Sequence, residues 1–518
     1  MISQPYKNTL NSDWPIWLRA ETLVLLIPVA AKLILHILTH RGYGLFGDEL
    51  YYLACSDHLD WGYVDHPPFS ILLLHVTRAL FGDSMLSIRW LPGVAGAATV
   101  LLTGLIARRI GAGLFGQLLA EVCVLVAPVF LAINHYFSMN AFDILAWTAA
   151  LYILVCIIEG GKPTLWAWMG VVVGVGFENK ISILFLCFGL AVGLLLTKER
   201  RLLFSIWLIV GAVIAVLLFL PHILWQISHG WPTLEWMANA RSKKMVSMSP
   251  TAYLTEQIVL LGPLSVLVWG TGLVCLFFHP DLKNYRLFGW CYFALFALFV
   301  FQAGKPYYLA PIYPILYAGG GKVIERLLRP NSARVAAVTL LLAFGALAAP
   351  LGLPILPVET FISYSSAIGI HPASGERSAE GKVPSFFANM FGWDKLESIV
   401  DSVYQSLPKD EQSKCGIFCQ NYMQAGAIDF YGRRDHLPRA ICGHNSYWTW
   451  GMEGCSGEVV IVLGSHAEDL KKYYEDVAQC ALFHDEYIQP MHNNVPIFVV
   501  RKPKQPLSSL WPGVRFYI

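Results

Sequence analysis

The residues best suited to chemistry are acids crowded into one short stretch, residues 46–69. This stretch, here called the acidic segment, reads FGDELYYLACSDHLDWGYVDHPPF and carries the carboxylates of Asp48, Glu49, Asp57, Asp60 and Asp65. Inserting a carboxylate at membrane depth costs roughly 3 kcal/mol on insertion scales. Acids beside an apolar run are therefore expected to contact water, to pair with another side chain or to have a function. Asp48 directly follows the first apolar run and is the strongest candidate for a proton acceptor. Asp57 and Asp60 can equally be solvated loop residues.

The second half of the acidic segment places an acid and a histidine before two prolines. Pro67 and Pro68 prevent a helix from starting before Asp65 and His66, so these two side chains lie on a stiff, extended approach to the next apolar segment. Asp65 and His66 could bind a cation or a phosphate. A local hydrogen bond between the two side chains explains the spacing equally well.

A further acid, Asp143, lies in SMNAFDILAW near one end of an apolar run. Asn140 suits the helix-capping position there, which leaves Asp143 one turn deeper in the membrane. Ionisable residues inside membrane helices are expensive and usually functional, so Asp143 is a candidate for the site.

Basic residues complete the set and indicate phosphate binding. Lys180 in FENKIS and Lys305 in GKPYYLAP each interrupt apolar sequence and could hold a phosphate as a point charge. The other basic candidates are Arg89, Arg241, Lys243 and Lys244, of which the last three have contact with solvent or lipid headgroups as their default role. Aromatic rings that could stack on a sugar are those of Tyr51, Tyr52, Trp61, Tyr63, Tyr307 and Tyr308.

Acids that take up a proton, bases that hold a phosphate and rings that stack on a sugar together describe group transfer from a phosphorylated carrier. The sequence contains neither a P-loop nor a dinucleotide-binding glycine pattern. A lipid-linked phosphate is therefore the expected carrier.

The elements that position these residues are membrane helices. The 518 residues are 56% hydrophobic and only 14% charged, against about a quarter charged in ordinary soluble proteins. Net charge is +2, which gives no indication of nucleic acid as a partner. Apolar runs of membrane-spanning length predict about eleven spans. They lie near residues 18–38, 86–108, 113–133, 141–159, 164–178, 181–197, 203–226, 253–278, 286–302, 307–327 and 333–354.

The charges in the short loops predict the orientation. Lys and Arg are retained in the cytoplasm, and one set of loops carries Arg108, Arg109, Lys162, Lys198, Arg200, Arg201, Lys283, Arg286, Arg326, Arg329 and Arg334. The acidic segment and the tail should therefore face outward from a multi-pass plasma membrane, towards the periplasm in a bacterium. We expect a membrane domain over 1–356 with a large first outer loop (39–85), followed by an extracytoplasmic α/β domain over 357–518.

Five cysteines cluster in the polar tail: Cys415, Cys419, Cys442, Cys455 and Cys480. In an oxidising compartment they allow up to two disulfides with one thiol left over, and spacing does not fix the connectivity. A zinc site is the rival interpretation, although Cys415 and Cys419 lack a second closely spaced Cys or His pair.

The ordered motifs resemble the polyprenyl-phosphate-dependent glycosyltransferases of the GT-C class, which include the protein O-mannosyltransferases and the aminoarabinose lipid A transferase. The matching pieces are GDELYYLACSDHLDWGYVDHPPF, LFGDSMLSIRWLPGV, ENKISILF, FLPHILWQISHGWPTLEW and GKPYYLAPIYPILYAGG. The resemblance implies an α-helical GT-C membrane fold with an outer α/β domain. It also implies that Asp48 is the general base with support from Glu49, and that Asp143 is the functional acid of the second outer loop.

The same resemblance implies that Asp65 and His66 lie near the donor phosphate, where His66 stands in place of the lysine of some relatives. Lys180 stands in a degenerate SKY-like element. Some members of the class use a divalent metal, for which Asp48 and Asp65 are conceivable ligands.

We therefore expect an inverting glycosyltransferase that moves a hexose or pentose from polyprenyl phosphate to a hydroxyl or phosphate of a lipid, glycan or protein, with membrane lipids around it. A transporter or flippase of lipid-linked sugars is the alternative. Transporters tend to show related halves and broken midplane helices, which the sequence does not reveal.

Overall fold

The computed structural model describes residues 20–370 and 379–518. In the part assigned to the membrane domain, and just after it, the helices are α1 (Ala20–Thr39), α2 (Gly47–Asp57), α3 (Phe69–Phe81), α4 (Met85–Arg109), α5 (Leu114–Val126), α6 (Pro128–Ile133), α7 (Met139–Ile158), α8 (Leu165–Asn179), α9 (Ile183–Leu195), α10 (Ile206–Ser228), α11 (Pro232–Lys243), α12 (Pro250–Leu261), α13 (Val266–Phe278), α14 (Arg286–Phe301), α15 (Tyr313–Leu327), α16 (Asn331–Gly352) and α17 (Val358–Ala367). Short 3₁₀ segments are Lys198–Phe204, Pro263–Ser265, Pro280–Tyr285, Pro306–Ile312, Pro490–His492 and Trp511–Val514.

Among the described residues, five helical segments are long and apolar enough to cross a membrane: α4, α7, α10, Pro280–Phe301 and α16. Shorter apolar helices lie at Leu23–Thr39, Phe69–Phe81, Leu114–Val126 and Ile183–Leu195. The chain is an α-helical membrane protein, whereas the number eleven stays a prediction.

Two predicted spans are interrupted. The single span predicted over 253–278 is wrong, because the chain bends by 104° between α12 and α13. The break falls at Gly262, whose φ is +86°, followed by Pro263, which cannot donate a helical hydrogen bond. The span predicted over 113–133 likewise divides into α5 and α6 at Pro128.

Glycines allow the membrane helices to approach closely. A methyl group at Gly272 of α13 would lie 2.0 Å from the carbonyl oxygen of Leu316 in α15. One at Gly320 of α15 would lie 1.9 Å from the carbonyl oxygen of Val268. Because hydrocarbon offers little hydrophobic driving force for helix association, such backbone contact supplies much of the packing energy.

The second region of the fold is a five-stranded mixed sheet with short helices around it. Its helices are α18 (Ser385–Ala388), α19 (Trp393–Gln405), α20 (Lys409–Gln412), α21 (Tyr422–Tyr431), α22 (Ser446–Trp450), α23 (Ala467–Leu470) and α24 (Leu507–Leu510), and its strands are β1 (Cys415–Cys419), β2 (Ala440–Cys442), β3 (Val459–Leu463), β4 (Tyr474–Phe483) and β5 (Val495–Pro503). The strand order is β2-β1-β3-β5-β4. Strands β2, β1 and β3 are parallel, and β3, β5 and β4 are antiparallel.

The β-rich runs at 458–464 and 497–503 form β3 and β5, whereas in the charged stretch 466–483 the helix α23 ends at Leu470. That stretch mostly forms β4, which pairs with β5 from Tyr474 to Phe483. Pairing along a full neighbouring strand outweighs the helical preference of a charged, alanine-containing sequence.

All eleven cysteines lie in the described residues and are free thiols, so none of the disulfides that the tail cysteines allowed is formed. Cys415 packs into the main core and Cys455 into the smaller core on the other face of the sheet, which separates that pair. Cys419 and Cys442 are buried, in-register neighbours on β1 and β2.

The sheet region is packed directly onto the acidic segment, chiefly through α21 and α2. A methyl group at Gly426 of α21 would lie 2.7 Å from the backbone of Leu50, and one at Gly47 would lie 2.7 Å from the Met423 sulfur. The acidic segment is therefore covered on the side away from the membrane helices.

Close glycine packing in the membrane domain predicts a strong difference between two neighbouring positions. Gly272→Ala would force α13 and α15 apart and destabilise the protein by about 1–3 kcal/mol, the usual cost of overpacking. Gly270→Ala is the matched control in the same helix, because its methyl would meet only Val266 at 3.8 Å. Thermal unfolding in detergent should show a lower midpoint for Gly272→Ala alone. Equal midpoints for the two variants would contradict this account of the packing.

Candidate functional site

The first turn of α2 places two neighbouring carboxylates on different sides of the helix. Glu49 is fully buried, whereas Asp48 is half-buried. Both lie at a helix N-terminus, where backbone N–H groups and the helix dipole favour negative charge. The two adjacent carboxylates therefore have different surroundings.

Glu49 holds the start of α2 in place. Its Oε2 accepts hydrogen bonds from the Phe46 backbone N–H (2.8 Å) and from an Arg89 Nη (2.5 Å). Its Oε1 accepts from Arg89 Nε (2.9 Å) and from the Phe137 backbone N–H (2.7 Å). A buried pair of this kind persists only when its remaining hydrogen-bonding capacity is satisfied, as it is here. The Glu49 carboxylate has no capacity left for a substrate.

Arg89 forms an ion pair with Glu49 and contacts the same part of the chain. Besides Glu49, its guanidinium donates to the carbonyl oxygens of His40 (2.8 Å) and Gly44 (2.6 Å), and only 2% of the residue is exposed. The donors of Arg89 are therefore used inside the protein, and its role in binding the donor phosphate stays a prediction. Glu49 fixes the start of the helix that carries Asp48, and its support of Asp48 stays a prediction as well.

Asp48 turns to the other side, towards the sheet region. Its Oδ1 accepts a hydrogen bond from the Tyr422 hydroxyl at 3.0 Å. Burial raises the pKa of Asp48 above its ordinary value, and the nearby Asp65 charge adds to the rise. The Tyr422 hydrogen bond and the charges of Lys244 and Lys305 act in the opposite direction. Asp48 is thus a carboxylate with raised proton affinity, surrounded by a hydroxyl donor and two cations.

The tyrosines predicted to stack on a sugar in the acidic segment are enclosed by the sheet region. Tyr51 is 1% exposed and its ring lies 4.5 Å from that of Tyr422. Its hydroxyl donates to Asp65 Oδ1 at 2.7 Å and lies 2.8 Å from Ser446 Oγ. Tyr52 is 4% exposed. Both residues are almost fully buried, and their role in binding substrate stays a prediction.

The prolines act as predicted, with α3 beginning at Phe69, but His66 is enclosed. Its side chain is fully buried, and Nδ1 donates to the Pro67 carbonyl oxygen at 3.0 Å. The Nε2 atom lies 4.0 Å from Asp65 Oδ1 and has no hydrogen-bond partner among the described residues. The role of His66 beside the donor phosphate stays a prediction.

Lys180, predicted to hold a phosphate, forms a second centre with Asp143. Its ammonium donates to Asn140 Oδ1 at 2.6 Å and lies 3.9 Å from Asp143 Oδ2. The same nitrogen lies 5.0 Å from the ring centre of Tyr308 and 5.9 Å from that of Tyr307. The structure therefore brings together four of the predicted residues.

Lys305 connects the two centres. It directly precedes the 3₁₀ segment Pro306–Ile312, which carries Tyr307 and Tyr308, and its charge lowers the pKa of Asp48. Its carbonyl oxygen accepts from the Tyr253 hydroxyl at 3.3 Å. The charges of Lys305 and Lys244 both act on Asp48, whereas Lys180 contacts Asn140 and Asp143.

Arg241 and Lys243 lie at the end of α11. Both are exposed, and the Lys243 ammonium lies 5.0 Å from the ring centre of Phe516. The next lysine, Lys244, is the one whose charge acts on Asp48. The role of Arg241 and Lys243 in binding the phosphate stays a prediction.

A metal is not supported by the ligands present. Asp48 and Asp65 are close enough to influence each other, but each accepts a hydrogen bond from a tyrosine hydroxyl. The described residues contain no group of three His, Cys, Asp or Glu side chains that could hold a metal ion. No chemical step is therefore routed through a metal.

Tyr422 is a candidate site residue that the sequence did not reveal. It lies 374 residues from Asp48, and NYMQAG around it has no motif that signals a contact with Asp48. Only the docking of α21 on α2 brings the two together.

The ion pair between Glu49 and Arg89 predicts that a substitution of Glu49 lowers the stability of the protein. Glu49→Gln keeps the shape of the side chain but leaves the Arg89 charge unpaired, which should destabilise the protein by about 3–5 kcal/mol. Glu475→Gln, on the exposed part of β4, is the control and should change nothing. Thermal unfolding in detergent measures both. An unchanged midpoint for Glu49→Gln would mean that the pair does not hold the fold.

Comparisons with known proteins show what the chain is similar to. Residues 65–225, less than a third of the chain, match the family model described as dolichyl-phosphate-mannose-protein mannosyltransferase. The chain is 28% identical over 194 residues to the lipid A galacturonosyltransferase RgtD of Rhizobium johnstonii. That match covers 37% of this chain and only 40% of the relative.

The solved structure of ArnT from Cupriavidus metallidurans bound to undecaprenyl phosphate superposes with a TM-score of 0.63 at 14% identity, covering 93% of this chain and 98% of that one. The apo state of the same enzyme gives a TM-score of 0.62 at 15% identity, with the same coverage. The resemblance noted in the sequence is therefore confirmed, and the chain has the GT-C fold of membrane glycosyltransferases.

Proposed function

We propose that this protein is an inverting glycosyltransferase that moves a sugar from a polyprenyl-phosphate carrier to an acceptor hydroxyl or phosphate. The observation that carries the proposal is the half-buried Asp48 carboxylate, which has a raised pKa and lies between the Tyr422 hydroxyl and the charges of Lys244 and Lys305. General bases with raised proton affinity are the groups that transfer protons well near neutral pH. The fold similarity to ArnT with undecaprenyl phosphate supports the choice of carrier.

In the proposed reaction Asp48 takes the proton of the acceptor group as its oxygen attacks the anomeric carbon. The new carbon–oxygen bond forms on one face of the sugar while the bond to the carrier phosphate breaks on the other, so the configuration inverts. The electron pair of the broken bond stays on polyprenyl phosphate, which leaves as a phosphate monoester. Asp48 then returns its proton to solvent or to that phosphate.

The cations offset the charge that develops on the leaving phosphate. Lys305 is suited to this because its charge is felt at Asp48 and it adjoins the tyrosines around Lys180. Fixed cations in a site with little water stabilise developing charge far more than they would in bulk solvent. Asp143 then orients Lys180, and Tyr307 and Tyr308 supply ring surface beside it.

We further propose the sidedness that the loop charges predict. The catalytic centre and the sheet region, residues 357–518, would face outward from the inner membrane, and residues 1–356 would form the catalytic membrane domain. The lipid-linked donor and a lipid, glycan or protein acceptor would then meet at the outer surface of that membrane. A transporter of lipid-linked sugars has no need of a base held by Tyr422 from a domain outside the membrane.

The base assignment predicts the effect of Asp48→Asn. Purified enzyme in nanodiscs, given radiolabelled polyprenyl-phosphate sugars and cell-envelope acceptors, should lose about 10²–10⁴-fold in transfer rate, because an amide cannot take up the proton. Asp410→Asn, an exposed acid of the sheet region, should transfer at the wild-type rate. Transfer by Asp48→Asn at the wild-type rate would rule out Asp48 as the base. Movement of labelled lipid across the bilayer without transfer would favour the transporter.

The Tyr422 contact predicts a shift in pH dependence. Transfer requires the Asp48 carboxylate, so its rate should fall on the acid side at a pH above that of an ordinary aspartate. Tyr422→Phe removes a hydrogen bond that favours the carboxylate, so the acid limb should move to higher pH by about one unit. Tyr404→Phe, which removes a hydroxyl bonded to the Gln412 carbonyl oxygen, is the matched control and should leave the profile unchanged. An unmoved acid limb in Tyr422→Phe would mean that Tyr422 does not act on Asp48.

A further inference from the structure

A separate cavity of about 490 Å³ lies where the membrane domain meets the sheet region. Tyr43, Gly44 and Met85 line it from the membrane domain, next to the ends of α1 and α4. The segment 390–395, together with Tyr431 and Asp485, lines it from the other side. Its size falls within the range of about 300–1,000 Å³ that is usual for small-molecule sites. No part of the proposed transfer reaction uses this cavity.

The cavity lining combines aromatic surface with carboxylates. The rings of Tyr43 and Phe391 pack 4.7 Å apart, and Tyr431 is half-buried on another side. Asp394 is exposed at the start of α19, and its charge contributes to raising the pKa of Tyr431, which places the two side chains close together. Ring faces match the C–H surface of a pyranose, and carboxylates accept hydrogen bonds from sugar hydroxyls.

The charges at the cavity argue against a phosphate ligand. The lining contains one lysine, Lys395, and two aspartates, Asp394 and Asp485, whose negative charges offset the lysine charge. Arg89, which donates to the carbonyl oxygen of the lining residue Gly44, is already paired with Glu49. An uncharged saccharide fits this balance, whereas the lipid phosphate fits the Lys180 and Lys305 side of α2.

The cavity is close to the catalytic carboxylate but does not contain it. Trp393, which forms part of the wall, would lie 3.3 Å from a methyl group at Gly47, the residue before Asp48. Asp48 itself points to Tyr422 and is absent from the lining. A sugar bound in the cavity is therefore a neighbour of the unit that reacts, and not the reacting unit.

We propose that this cavity is a saccharide subsite that holds a non-reacting, uncharged sugar unit of the acceptor. This inference rests on the proposed function and narrows it: the acceptor is a glycan or glycolipid with more than one sugar unit. The subsite stacks that unit on Tyr431 and accepts its hydroxyl hydrogen bonds at Asp394.

Binding of free sugars to the full-length protein in nanodiscs tests the subsite without needing the acceptor. The probes are the methyl glycosides of glucose, galactose and mannose, with glucose 6-phosphate as the charged comparison, followed by saturation-transfer NMR. At least one neutral glycoside should bind in the millimolar range, and Tyr431→Leu should weaken it at least tenfold. Asp394→Asn, a milder change on an exposed residue, should weaken it about fivefold. Lys472→Gln, on the far exposed surface of the sheet region, should bind as the wild type does.

Two further results separate this proposal from the proposed function. Asp48→Asn should bind the glycosides normally even though it cannot transfer sugar, so loss of transfer alone leaves the subsite standing. In a transfer assay, Tyr431→Leu should raise KM for a multi-unit acceptor several-fold with kcat little changed. Undiminished glycoside binding in folded Tyr431→Leu and Asp394→Asn, or binding of the phosphorylated sugar in preference to the neutral ones, would overturn the proposal.

Discussion

The whole site depends on one buried ion pair, that of Glu49 with Arg89. Four hydrogen bonds converge on the Glu49 carboxylate, from the Arg89 guanidinium and from the backbone of Phe46 and Phe137. They join the start of α2 to α4 and to the residues before α7, three parts of the chain that the sequence separates widely. An ion pair buried in this way contributes through the geometry it enforces, since its desolvation cost offsets most of its attraction. With α2 fixed, Asp48, the residue before Glu49, points about 100° around the helix from it, towards Tyr422.

The sheet region adds further contacts that hold α2 and its side chains in place. Tyr422 donates to Asp48, Ser446 contacts the Tyr51 hydroxyl, and the rings of Tyr51 and Tyr422 pack together. At the far end of α2, Asp57 forms ion pairs with Arg78 of α3 and with Arg433, which follows α21. The sheet region is thus attached at both ends of α2, and the Asp48 carboxylate receives its hydrogen bond from that region. Its raised pKa follows from this enclosure, because the same cover that supplies the hydroxyl removes water.

Much of this arrangement could be predicted from local sequence, and the rest could not for identifiable reasons. Apolar length gave the membrane fold, Pro67 and Pro68 gave the start of α3, and the positions of Asp143 and Lys180 allowed both to be chosen although they pair across α7 and α8. Residue type shows what Arg89, Tyr51, Tyr52 and His66 can bind, but it does not show that neighbouring residues enclose them, as they do here. Sequence also does not show which of the nearby cations Arg241, Lys243 and Lys244 is the least exposed. Tyr422 and the helix break at Gly262 depend on long-range packing and on the combined effect of a positive φ and a proline.

The most direct test of the account is a structure of the protein with polyprenyl phosphate bound, measured by electron cryomicroscopy in nanodiscs. The quantity to measure is the distance of the phosphate from each candidate cation and from the Asp48 carboxylate. The account predicts hydrogen-bond distances from the phosphate to Lys180 or Lys305, with Asp48 still bonded to Tyr422 and separated from the phosphate by the width of a sugar, and with the Glu49–Arg89 pair intact. A phosphate bound by Arg89, with Glu49 released from it, would contradict the central claim.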